Sequence, residues 1–144
     1  MRVPPPTDRH TPSKGSLSIL VTVQLIIAII LLLENSLNLT KNVDHFESDE
    51  TKSVVFAAWL LIILWLVTIF TSLAALLTNS FNLLLPHLIW TIPLCGICLC
   101  CSFTFYLSDT RPWTMILSTG ISVLLGVTIF VELRCFFEMR RYLR

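Results

Sequence analysis

The residues that could do chemistry are few, and most interrupt long apolar runs. Cys95, Cys98 and Cys101 repeat at C-x-x-C spacing, with Cys100 among them. In a soluble redox or zinc protein that spacing would deliver thiolates to a disulfide or a metal. Hydrocarbon disfavours the thiolate, and no His or second Cys pair stands at zinc spacing. The expectation is therefore small, polarizable packing residues, with no metal and no cofactor. His87 follows Pro86 at the start of another apolar run. Its ring could bond a carbonyl freed by the missing proline N–H, or titrate as a pH switch. No carboxylate accompanies it in its own run, which makes it a poor proton relay. Glu132, at the end of the last run, is the candidate partner whose proximity the sequence leaves open. Glu34 is ionisable, and ionisable groups in a membrane mark function by default. Asn35 and Ser36 beside it place it at the watery end of its run, so the expectation is an interfacial carboxylate. Gln24, near the middle of the first run, would seek an interhelical hydrogen bond. There is no Ser-His-Asp set, no His cluster with carboxylates and no Gly-rich phosphate loop. The connecting segments are too short to build a pocket. The expectation is a non-enzyme with no catalytic residues.

These groups are positioned by elements of one kind. Apolar residues make up 55% of 144 residues, charged residues 13%, and mean hydropathy is +0.81. No Asp, Glu, Lys or Arg occurs in the 56 residues from Ser53 to Ser108. A soluble domain of this size has too much surface to hide so much uncharged apolar chain. A net charge of +1 carries no basic footprint for nucleic acid. Four of the five Cys lie inside an apolar run, which excludes a disulfide scaffold. A bilayer core needs about 20 apolar helical residues, and four spans qualify: 17–37, 54–77, 83–107 and 113–135. The runs lack the period-two alternation of barrel strands. The fold class is all-α, an integral membrane four-helix bundle over residues 17–137, preceded by a disordered tail (1–16) and followed by a short basic tail (138–144). Thr78-Asn79-Ser80 and Asn82 break the long uncharged stretch into a hairpin. Pro112 pre-sets the first turn of the last helix, and Trp113 sits where an interfacial aromatic belongs. The first span lacks a small-x-small cleavage site and reads as an uncleaved signal-anchor.

Seven Lys and Arg lie on the two tails (Arg2, Arg9, Lys14, Arg134, Arg140, Arg141, Arg144) against three in the loops (Lys41, Lys52, Arg111). The positive-inside rule then places both termini in the cytosol. The first loop, with Asp44, Glu47, Asp49 and Glu50, faces the opposite compartment. So does the sequon Asn38-Leu39-Thr40, a candidate for N-glycosylation whose closeness to the first span argues against occupancy. Pro4-Pro5-Pro6, Thr7 and Thr11-Pro12 mark a solvated tail. Ser118, Ser122 and Gly126, each four apart, put small residues on one face of span four, with Gly120 nearby. Thr68, Ser72 and Ala75 do so on span two. Such faces let backbones approach closely; packing within the chain is preferred over a homo-oligomer interface. Cys135, juxtamembrane beside Arg134, is a candidate for S-palmitoylation.

Leu84-Leu85-Pro86-His87-Leu88-Ile89-Trp90 and Val131-Glu132-Leu133-Arg134-Cys135-Phe136-Phe137-Glu138-Met139-Arg140-Arg141 resemble two segments of the lysosome-associated transmembrane protein family: the Leu-Pro start of its third helix and the aromatic, charged exit of its fourth. Topology and length are similar over most of the chain. The resemblance implies an endomembrane or lysosomal location and a sorting or regulatory role. The chain departs from well-known members in lacking a Pro-x-Tyr motif in Arg140-Arg141-Tyr142-Leu143-Arg144, so recruitment of a ubiquitin ligase is not carried over. The first loop has no Cys, unlike tetraspanins and claudins, and both outer loops are short. The functional expectation is a tetraspan protein that contacts the lipid bilayer and other membrane proteins through its helices, in their sorting, assembly or regulation. The alternatives are a small solute or proton-linked transporter using Gln24, Glu34 and His87, and a structural component of a cell–cell junction or sheath membrane.

Overall fold

The computed structural model describes residues 12–42, 49–108 and 112–142. The N-terminal tail up to Thr11, with Pro4-Pro5-Pro6 and Thr7, residues 43–48 of the acidic first loop, residues 109–111 and residues 143–144 lie outside the described residues. The apolar runs form four helices: α1 (Pro12–Asn42), α2 (Asp49–Thr78), α3 (Leu85–Leu107) and α4 (Pro112–Tyr142), with a 3-10 turn at Phe81–Leu84 leading into α3. All four are long and apolar enough to cross a membrane. At about 1.5 Å per residue, α3 spans roughly 34 Å and the others roughly 45 Å. Since the hydrocarbon core is about 30 Å thick, α1, α2 and α4 reach past it. Helix thus replaces tail at both ends of the expected domain, beginning at Pro12 and running on to Tyr142. Backbone hydrogen bonds favour continuing a helix once its apolar face has a partner.

The turn expected between spans two and three is built on Asn79. Its φ of 54° places it in the left-handed region, which Asn tolerates. The Ser80 N–H then donates to the Ala75 carbonyl at 3.2 Å, closing α2 with a Schellman-type bond. Lys14 Nζ donates to Asn79 Oδ1 at 2.5 Å, tying the start of α1 to this corner. At the opposite end, Trp59 Nε1 donates to Ser36 Oγ at 2.9 Å, and Phe56 stacks on Trp59. Trp113 is 78% exposed at the start of α4.

Each helix packs on its two neighbours in a ring, α1 on α2, α2 on α3, α3 on α4 and α4 on α1, with α3 and α4 the most extensive pair. The side-chain contacts run antiparallel, so the first residues of α1 and the last of α4 share one end. Buried positions recur at steps of three and four: Leu17, Val21, Gln24 and Ala28 on α1; Trp65, Ile69, Ser72 and Ala75 on α2; Leu84 at the end of the 3-10 turn, then Leu88, Thr91 and Leu94 on α3; Leu125, Thr128, Glu132, Cys135 and Met139 on α4. That repeat, close to 3.5, is the seam of helices crossing at a shallow angle. The outward positions carry large apolar side chains on every helix, as a lipid-facing surface requires.

Candidate functional site

The interior carries polar side chains from all four helices. Among the described residues, twelve apolar side chains are buried together with eight polar ones: Gln24, Thr68, Ser72, His87, Thr91, Ser122, Thr128 and Glu132. They form layers. Nearest the shared end lie Ser72, His87 and Glu132, one each from α2, α3 and α4. His87 Nδ1 and Glu132 Oε1 are 2.5 Å apart, and both side chains are 0% exposed. Ser72 Oγ donates to the same Oε1 at 3.5 Å. One turn deeper, by about 5.4 Å, each helix contributes one side chain: Gln24, Thr68, Thr91 and Thr128. Gln24 Nε2 donates to Thr128 Oγ1 at 2.6 Å, and Thr128 Oγ1 donates to the Leu124 carbonyl at 2.8 Å. Thr91 Oγ1 donates to the His87 carbonyl at 2.7 Å and lies 3.4 Å from Nδ1.

The polar seam continues between α3 and α4. Cys95 Sγ lies 3.5 Å from the Ser122 carbonyl and 3.7 Å from its hydroxyl. Ser118 Oγ donates to the Cys98 carbonyl at 2.9 Å, and Ser102 Oγ donates to Ser118 Oγ at 2.9 Å. These are the small residues that let the two backbones approach.

Glu132, whose proximity to His87 the sequence left open, lies beside it. Forty-five positions separate the two residues in sequence; only the hairpin of α3 and α4 brings them together. The imidazole bonds Glu132 and not a backbone carbonyl. Glu34 is exposed on α1 and stands apart from this cluster, so the triad Gln24, Glu34 and His87 is not one site.

The small-residue expectation divides. Thr68, Ser72 and Ala75 are buried, Ser122 is buried, and Ser118 is half-buried and bonded across the seam. Gly126 is exposed, and a Cβ added there would meet nothing within 4 Å. The physical reason is the packing repeat. Strict steps of four drift off a 3.5-residue seam, so Leu125 takes the inward place and Gly126 turns outward. Gly96 and Gly120 are likewise exposed and open. Cys95 and Cys98 are half-buried and Cys100 and Cys101 exposed, all four as free thiols. Among the described residues no three His, Cys, Asp or Glu side chains group as metal ligands. Cys135 is 1% exposed and turned into the bundle, which leaves the acylation expected of it without an accessible thiol. Asn38 is exposed on the last turns of α1, where the Thr40 hydroxyl of its sequon donates to the Ser36 and Leu37 carbonyls at 3.0 and 3.1 Å.

The stripe Ser72–Glu132–His87 could have been sought in the sequence by asking which polar residues fall on the 3.5-residue seam of each run. No family model, no curated protein and no solved structure matches the chain.

Proposed function

We propose that the chain is a non-enzymatic four-span membrane protein that acts through lateral contacts between its helices and those of other membrane proteins, in their sorting, assembly or regulation. One observation carries this reading. Gly96, Gly120 and Gly126 all open toward the outside of the bundle, with nothing within 4 Å of the place a Cβ would occupy. Glycine inside a helix costs about 1 kcal/mol relative to alanine. Packing within the chain gives these three no compensation, whereas a second helix approaching the notch would. The two stretches 84–90 and 131–141 that resemble the lysosome-associated transmembrane proteins support an endomembrane or lysosomal setting, and the basic termini support a cytosolic placement of both ends.

The test is proximity labelling and co-purification of the wild type beside Gly120→Leu/Gly126→Leu. A reproducible set of membrane partners that shrinks in the variant is expected. An identical set in the two proteins, or no reproducible membrane partner for the wild type, contradicts the reading. Recovery of a second, differently tagged copy of the chain alone would narrow it to a homo-oligomer.

A second reading, a proton-linked carrier, is favoured by the His87–Glu132 pair. Its test is a pH-driven flux in proteoliposomes that His87→Gln abolishes.

A further inference from the structure

We propose that His87 and Glu132 form an intramembrane proton-binding site: imidazole Nε2 and carboxylate Oε2 are alternative seats for one exchangeable proton, taken up from the side of the bundle that carries the termini.

The argument begins with which atoms are engaged. Glu132 Oε1 faces two groups at once, the Ser72 hydroxyl at 3.5 Å and His87 Nδ1 at 2.5 Å. The Thr91 hydroxyl proton is committed to the His87 carbonyl, so the proton on the Nδ1–Oε1 contact belongs to the pair itself. The consistent assignment is an Nδ1–H donating to an Oε1 that only accepts. That leaves Nε2 and Oε2, both buried and both without a hydrogen-bond partner. With neither protonated, the pair carries one negative charge.

Among the described residues no Lys or Arg side chain pairs with that charge. From Ser53 to Ser108, α2, the 3-10 turn and α3 contain no Asp, Glu, Lys or Arg. The thiol of Cys95, two turns along α3 from His87, is the nearest titratable group that helix offers. From α1 the nearest charge is Lys14, drawn to Asn79 at the end of the bundle. On α4 the buried Cys135 lies one turn away, while Arg134 is turned outward and pairs with Glu138 at 3.2 Å. An isolated charge in a dry interior is strongly disfavoured. One further proton makes the pair neutral as a whole, either as imidazolium beside carboxylate or as neutral imidazole beside carboxylic acid. The bond formed is N–H or O–H, the proton comes from water, and no electron moves.

The place in the fold fixes the side of access. His87 is the third residue of α3. Twenty residues of α4, about 30 Å, separate Glu132 from Pro112 at the other end. On the near side the buried residues of the helices and the 3-10 turn include Leu17, Ala75, Leu84, Cys135 and Met139, in keeping with a site opened by small displacements rather than by a standing channel. The inference deepens the carrier reading but rests on it only for net movement of the proton; binding stands by itself.

The test uses the full chain in lipid nanodiscs. Infrared difference spectra between acidic and alkaline buffer are recorded with nitrogen-15 NMR of labelled histidine, His87 being assigned among the three histidines by His87→Gln. A pH-dependent carboxyl band and a pH-dependent His87 Nε2 signal are expected in the wild type, with both lost in Glu132→Gln. Ser72→Ala is expected to keep both signals, because the Ser72 hydroxyl is a donor to Oε1 and holds neither seat of the proton. A wild type whose His87 signal and carboxyl region do not change over the pH range in which it stays folded overturns the proposal, and the carboxyl region is read without any variant. Persistence of both signals in a folded Glu132→Gln protein overturns it too. Binding without flux in proteoliposomes upholds the site and removes the carrier reading.

Discussion

Glu132 and His87 are held by one contact that neither can spare. A buried ion-pairing partner removed alone leaves an uncompensated polar group, which costs about 3–5 kcal/mol, while replacing both with apolar side chains of similar volume is often neutral or stabilising. Reversible unfolding in mixed micelles should therefore show His87→Leu and Glu132→Met each strongly destabilised and the double variant close to wild type. Additive losses would mean that the two side chains do not act as a pair. Gln24 is different in degree. Its single bond to Thr128 leaves Oε1 buried without a partner. Gln24→Leu is expected to change stability by at most about 0.6–2 kcal/mol, in the range measured for interhelical bonds in lipid.

Among the elements, α4 offers a direct contrast of inward and outward positions, with Ser122 buried and Gly126 exposed. Ser122 fills a place where α3 approaches closely; a larger side chain there forces the helices apart, and overpacking of this kind costs about 1–3 kcal/mol. Ser122→Leu should lower the unfolding midpoint, whereas Gly126→Leu, four residues on but facing outward, should not. Equal effects would contradict the assignment of the two faces. The corner after α2 makes a second such contrast. Asn79 has φ 54°, so Asn79→Gly keeps the turn, while Asn79→Val, β-branched and without the Oδ1 that Lys14 reaches, should cost on the order of 1–3 kcal/mol. Much of this was legible in the residues. The hairpin break at Thr78-Asn79-Ser80, the proline start of α4 and the inward Thr68, Ser72, Ala75 and Ser122 all follow from residue type and spacing. Gly126 did not, because a pattern of fours and a 3.5-residue seam coincide for one turn and then diverge.

For the molecule as a whole, the ring of four antiparallel helices puts the start of α1 and the end of α4 at one end. Tags fused to the two termini should consequently show the same protease protection in sealed vesicles, and a label near Asn38, at the far end of α1, the opposite protection. Opposite protection of the two tags would require an odd number of crossings and would contradict the bundle. Alkaline carbonate washing should leave the chain in the membrane pellet, as four apolar helices with outward-facing Ile, Leu, Val and Phe require.

Sequence alone determined the medium and the secondary structure. A bilayer admits backbone only when its hydrogen bonds close within the segment, so long uncharged runs of chain have one solution each, and that solution is local. Only the tertiary structure decided which side chains meet. Glu132 and His87 lie on different helices, and whether they touch depends on the rotation of each helix about its own axis. That rotation is set jointly by every contact along the seams, and no window of sequence contains it.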